Sequence, residues 1–169
     1  MTEAGARDIF ERTRLGAAAF LVVSGLAAVA GSMLDWVTIE ALPIVPEGSD
    51  AAREVAERGT PFTGIEADWG WTSLVAGLVV LSCGALLAWR ERSRYALLAM
   101  LASIVVGAVG IAAYRAIGDE SSSLMREMAR IGELSPGIGV VLVALGGIVG
   151  MLAAVAGIVA TPAAREPAG

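Results

Sequence analysis

The sequence predicts an all-α membrane protein: a bundle of four transmembrane helices with short extracytoplasmic helices in both outer loops. Three observations predict it. Hydrophobic residues make up 56% of the 169 and charged residues only 17%, against about 25% charged in a typical soluble domain. The mean hydropathy is +0.72. The apolar residues gather into four runs of 23, 18, 20 and 24 residues, and a helix rising about 1.5 Å per residue needs about 17–25 to cross the hydrocarbon.

The elements follow in order. Residues 1–14 read as a helix feeding the first span, with Ile9 and Phe10 as its apolar face. The first span is Leu15–Val37, and Asp35 near its end is the one charged residue inside any run. Ala28-Val29-Ala30 behind Arg7, Arg12 and Arg14 has the form of a signal-peptide cleavage site, but the apolar run continues past it, so the segment is expected to remain as a span. The outer loop 38–71 opens with VTIEALPIV, whose weak alternation allows a short strand. A short helix is expected near residues 49–59, capped by Ser49 or Asp50 and ended by Gly59. The second span is Thr72–Trp89, the inner loop is 90–94, and the third span is Tyr95–Tyr114. In the outer loop 115–136, a serine cap at 121–123 and apolar Leu124, Met125, Met128 and Ile131 predict an amphipathic helix ending at Gly132. Pro136 is expected in the first turn of the fourth span, Gly137–Ala160, and the tail is 161–169.

Charge sets the orientation and removes several function classes. The net charge is −5, all twelve cations are arginine, and there is no histidine and one cysteine, Cys83. Nucleic acid is not an expected partner, because phosphate binding needs clustered cations on a basic chain. Without imidazole or a second thiol, zinc, haem and Ser-His or Cys-His chemistry have no ligands or bases here. The side carrying both termini and the inner loop holds seven arginines against five acids, +2, and the other side −7. Arg90, Arg92 and Arg94 in one tight loop place both termini in the cytoplasm by the positive-inside rule. Trp36, Trp69, Trp71 and Tyr114 fall at outer span ends, and Trp89 and Tyr95 at inner ends, as expected of interfacial anchors.

The fourth span carries a seam of small residues. Gly139, Val143, Gly146, Gly150, Ala153, Gly157 and Ala160 are spaced alternately four and three apart, which lines one helix face and allows close backbone approach in lipid. Ser24, Ala28 and Gly31, then Ser73, Gly77 and Gly84, then Ser103, Gly107 and Gly110 offer counterparts on the other spans. The seam is expected to pack within the bundle or to face another membrane protein. On the outer face, Asp35 and Arg115 are candidates for a pair joining the first and third helices. Glu66 and Asp68, beside Trp69 and Trp71, offer oxygen ligands, but two carboxylates without an Asp/Asn-rich loop make a poor cation site, so no metal and no cofactor are expected. Cys83 is expected to be a packing residue.

Three stretches carry a family resemblance: GSMLDWV at 31–37, GIEADWG at 64–70, and Gly137-Ile138-Gly139 with Gly146-Gly147. They resemble the small four-helix membrane proteins common in actinobacteria, many without assigned function. Those often close the first helix with a Gly…Pro-Trp stretch and enter the second with Gly-x-x-x-x-Gly; here Asp35 stands where proline is usual. The larger first outer loop is also claudin-like in plan, without the claudin loop cysteines. The resemblance implies a location in the cell membrane and a fold, and carries over no catalytic residue.

No span holds a carboxylate, histidine or arginine near the bilayer middle, nor a proline to break a helix around a substrate, so proton-coupled transport is not expected. The expected function is that of a non-catalytic accessory or scaffolding subunit, with membrane lipids and other membrane proteins as partners. A lipid- or quinone-binding envelope protein with a cleft under Trp36, Trp69 and Trp71 is the alternative. A membrane enzyme using Asp35, Glu66 and Asp68 is the third.

Overall fold

A computed structural model of the chain describes residues 3–41, 62–65, 69–90, 92–118 and 132–161. Its element order is α1 (Glu3–Met33), β1 (Asp35–Ala41), β2 (Phe62–Thr63), α2 (Trp69–Arg90), α3 (Ser93–Gly118), β3 (Gly132–Pro136) and α4 (Ile138–Ala160). All four helices are long and apolar enough to cross a membrane, and the chain is a multi-pass membrane protein. An even number of crossings puts both described ends on one side. The segments expected to hold the two outer-loop helices, near 49–59 and 121–132, fall outside the described residues apart from Gly132, which begins a strand.

Each helix packs on its two neighbours in sequence, and α4 closes the ring against α1; the diagonal contact of α2 with α4 is slight. The side chains are sorted by size. Bulky residues such as Phe20, Leu78, Leu101 and Leu152 are exposed, whereas alanine, glycine and serine fill much of the interior. This is the reverse of a soluble protein's preference. In lipid there is no gain from hiding a leucine, so contact depends on how closely backbones approach. Every small residue nominated from the sequence on α1, α2 and α3 is buried. The larger buried side chains form two clusters, one around Leu21, Val80 and Leu87 toward the termini, the other around Trp36, Val106 and Val143 toward the sheet.

The four-helix bundle carries a three-stranded antiparallel sheet in the order β2-β1-β3. The weak alternation after the first span does become a strand, but it starts at Asp35, two residues inside the expected span. The α1 helix ends because the chain turns at Leu34, whose N–H still reaches Ala30 O at 3.1 Å, and then pairs with two other strands. Pro136 is the last residue of β3 and not the first turn of a helix; at a strand end its missing N–H costs little. The β1–β3 register runs from Val37↔Pro136 to Ala41↔Gly132, with a 2.8 Å hydroxyl contact between Thr38 and Ser135. In the β1–β2 pair Asp35 faces Thr63 and Val37 faces Phe62, so Trp36 is an extra, bulged residue. The helix expected over residues 1–14 is the start of α1, which runs on unbroken into the span.

Glycines at helix crossings give a direct test of this packing. A carbon added at Gly147 would collide with the backbone of Gly107 in α3, while at Gly16 it would meet nothing within 4 Å. Gly147→Leu is expected to lower stability by about 1–3 kcal/mol or more, the usual cost of overpacking. Gly16→Ala is expected to leave it unchanged or raise it by up to about 1 kcal/mol through helix propensity. Thermal unfolding in mild detergent, followed by circular dichroism, measures both.

Candidate functional site

Gly139, Gly146, Gly150, Ala153 and Gly157 are all buried, and α4 lies between α1 and α3. A carbon on Gly139 would stand 2.6 Å from Gly31 O, and one on Gly146 would stand 3.1 Å from Ser24 O. Both positions face α1, and Gly147 faces α3. Gly157 looks toward Leu87, Ala96 and Ala17 at the end near the termini. The seam is consumed inside the bundle and leaves no glycine face for another protein to occupy.

Gly150 sits where two buried hydroxyls converge. The Oγ atoms of Ser24 and Ser103 would each stand 2.5 Å from a carbon added there. The Ser24 hydroxyl donates to Gly146 O across the α1–α4 contact. Ser103 is 1% exposed, and its Oγ has no hydrogen-bond partner. Nearer the sheet, the hydroxyls of Ser32 and Ser73 lie 2.7 Å apart and join α1 to α2, each also within reach of a carbonyl of its own helix. In hydrocarbon such interhelical hydroxyl contacts contribute about 0.6 kcal/mol on average.

The described outer-face residues, Asp35, Trp36, Trp69, Trp71 and Arg115, do not come together as one group. Trp36 is 2% exposed, its indole N–H donates to Gly31 O at 2.8 Å, and its ring lies where a side chain on Gly64 would be. It is a core residue pinning the sheet to the end of α1, not an interfacial anchor. Trp69 and Trp71 stand exposed in the first turn of α2, as anchors do. Trp36 is thus enclosed while Trp69 and Trp71 are exposed, so among the described residues the three rings do not line one cleft. No ion pair joins Asp35, half-buried in β1, to Arg115, exposed near the end of α3. The reason is the ring order, which sets α1 and α3 diagonally across the bundle. Glu66 and Asp68 lie outside the described residues. Among the described residues no three His, Cys, Asp or Glu come together as a metal site.

Two features were not read from the sequence. Arg14, counted there only as a topology signal, is 6% exposed, and its guanidinium donates to Leu87 O and Ala88 O at 3.3 and 3.4 Å. A cation from α1 thus satisfies carbonyls at the C-terminal end of α2, where the helix dipole favours positive charge. An arginine one residue before a long apolar run was the available signal. The second is a groove of about 430 Å³ between α1 and α4, lined by Thr13, Gly16, Ala17, Phe20, Val149, Leu152, Ala153 and Ala156. It lies toward the termini, the opposite end from Trp36. Cys83 is buried in α2 as a packing residue.

No protein-family model, no curated protein and no solved structure matches the chain.

The two roles assigned to the tryptophans separate experimentally. Trp36→Ala is expected to cost about 3–5 kcal/mol, as for other buried aromatic truncations. Trp36→Phe is expected to cost about 0.5–1.5 kcal/mol for the lost hydrogen bond. Trp69→Ala and Trp71→Ala are expected to leave the unfolding midpoint in detergent close to that of the parent protein, and an equal loss at all three positions would contradict the assignment.

Proposed function

We propose that this protein is a non-catalytic accessory or scaffolding subunit of a larger assembly in the cell membrane, with both termini in the cytoplasm, and that it engages its partner through its extracytoplasmic segments. The observation that carries this reading is the sheet. Ala41, where the first long outer segment leaves β1, is paired directly with Gly132, where the second returns into β3. Segments 42–61 and 119–131 are thereby rooted side by side on strands fixed to the bundle through Trp36. The filled interior supports the same reading, because glycine and serine packing across the four helices leaves their contacts to hold shape. With the α4 seam used internally, partner contact falls to the outer segments and the outer helix faces. The orientation rests on the arginine distribution.

Purification of the tagged full chain at native expression in mild detergent is expected to bring down a defined membrane partner. Replacing 42–61 by a short Gly/Ser linker is expected to abolish that association while the bundle keeps its helical signal. A monodisperse monomer, or association that survives the replacement, would overturn the reading.

The α1–α4 groove favours a second reading, that of a lipid-binding envelope protein. Its lining is apolar apart from Thr13, whose hydroxyl is already engaged by Ile9 O at 2.9 Å. Such a lining suits an acyl chain and offers little to the polar carbonyls of a quinone. Ala156→Phe, which fills the groove, is expected to reduce lipid retained in native mass spectrometry; unchanged retention would remove this reading.

A further inference from the structure

The turn between α2 and α3 carries an uncompensated charge. Arg90 ends α2, Arg92 lies in the connection, and Arg94 is in the first turn of α3, closed by a hydrogen bond from Tyr95 N to Arg92 O at 3.1 Å. All three are exposed, and the ion pair formed among the described residues, Arg12 with Asp8, lies elsewhere on α1. In sequence the turn holds one acid, Glu91, against these three cations.

Two of the guanidiniums are held by aromatic rings at the membrane boundary. Arg90 lies 5.5 Å from the ring centre of Trp89, and Arg94 lies 5.1 Å from that of Tyr95 and donates to its hydroxyl at 3.1 Å. Trp89 is 79% exposed at the very end of its span, where an amphipathic ring belongs among headgroups. Arg90 and Arg94 thus sit against rings at the ends of two spans, the depth of headgroups, and all three guanidiniums are exposed. A guanidinium fork matches a phosphate oxygen pair. Two of the carbonyls at this helix end, those of Leu87 and Ala88, are taken by Arg14.

We infer that the Trp89–Tyr95 turn is a binding site for anionic phospholipid headgroups in the leaflet on the side of the chain termini, with Arg90, Arg92 and Arg94 receiving the phosphate. The site is separate from the α1–α4 groove, which lies across the ring, and it does not depend on the partner reading. The occupant is a lipid and not a free anion, because the turn stands at the end of two spans and its rings place the cations beside the acyl boundary.

The test uses the full chain in mild detergent, where insertion orientation plays no part, with native mass spectrometry after adding equal phosphatidylglycerol and phosphatidylcholine. Phosphatidylglycerol is expected to be retained in preference. The triple variant R90Q/R92Q/R94Q is expected to lose the preference, by roughly five-fold for each arginine removed, with an unchanged helical circular dichroism signal. R7Q/R12Q, which removes the same kind of charge from α1, is expected to keep it. Equal retention of the two lipids, a preference that survives the triple variant, or an equal loss in R7Q/R12Q would overturn the inference. Displacement of the lipid by millimolar inorganic phosphate alone would do so too, since it would mark a site for free anions. If the triple variant loses its helical signal, the single variants R90Q, R92Q and R94Q are read in its place, and preference kept by all three would count against the site.

Discussion

Close backbone approach along α4 is the constraint on which the rest of this structure depends. Lipid supplies no reward for burying leucine, so four apolar helices hold together only where their surfaces allow tight contact. Gly139 and Gly146 admit α1, Gly147 admits α3, and Gly150 admits a hydroxyl from each. Two faces of one helix are therefore committed at once, which fixes α4 between α1 and α3 and closes the ring. Bulky side chains are then left for the perimeter, where they meet acyl chains at no cost. Between the helices the hydroxyls of Ser24, Ser32, Ser73 and Ser103 are buried, small enough to lie against a neighbouring backbone.

The two ends of the bundle are secured by different chemistry. At the sheet end, the indole of Trp36 fills the space over Gly64 and donates to Gly31 O in the last turn of α1, which holds β1 and the turn at 62–65 to that helix. At the other end, Arg14 reaches from α1 to the terminal carbonyls of α2. Arg14 joins α1 directly to α2, and Trp36 ties the end of α1 to Gly64, whose carbonyl accepts from Gly70 N in α2. The α2–α3 pair, by contrast, is tied by a connection of two residues and needs no such clamp. The sheet adds the remaining link, since β3 leads straight into α4 and pairs with the strand that leaves α1.

The spans and their inward faces were legible in the sequence because length and small-residue spacing are local properties. Each helix lies within a few residues of its apolar run, apart from the long start of α1, and all nine small residues nominated on α1, α2 and α3 point inward. What was not legible depends on pairing between distant segments. GELSP shows no alternation, so nothing in it announces a strand; it becomes one because β1 lies beside it. The same pairing draws Asp35 out of the apolar run and into the sheet. Trp36 at a span end reads as an anchor until the bulge turns it inward, whereas Trp69 and Trp71, with no strand to reposition them, behave as read. Arg14 was seen as a charge and not as a donor, since its acceptors lie more than seventy residues away. Asp35 and Arg115 matched in charge and depth, but ring order is not encoded in either residue.

A filled, tightly tied interior also bears on where this protein can act. Any partner must meet it from the lipid, from the outer sheet and its attached segments, or from the arginine-bearing end. These surfaces differ in character. The lipid face is apolar, the sheet side carries a net −7 and the terminal side +2 by sequence. A body that is rigid through backbone contact and polarised along its axis can set the depth and tilt of what it touches without changing shape itself. Membrane depth is then defined twice, by Trp69 and Trp71 at one boundary and by the Trp89–Tyr95 turn at the other. The supporting role proposed above would draw on such a fixed gauge of depth.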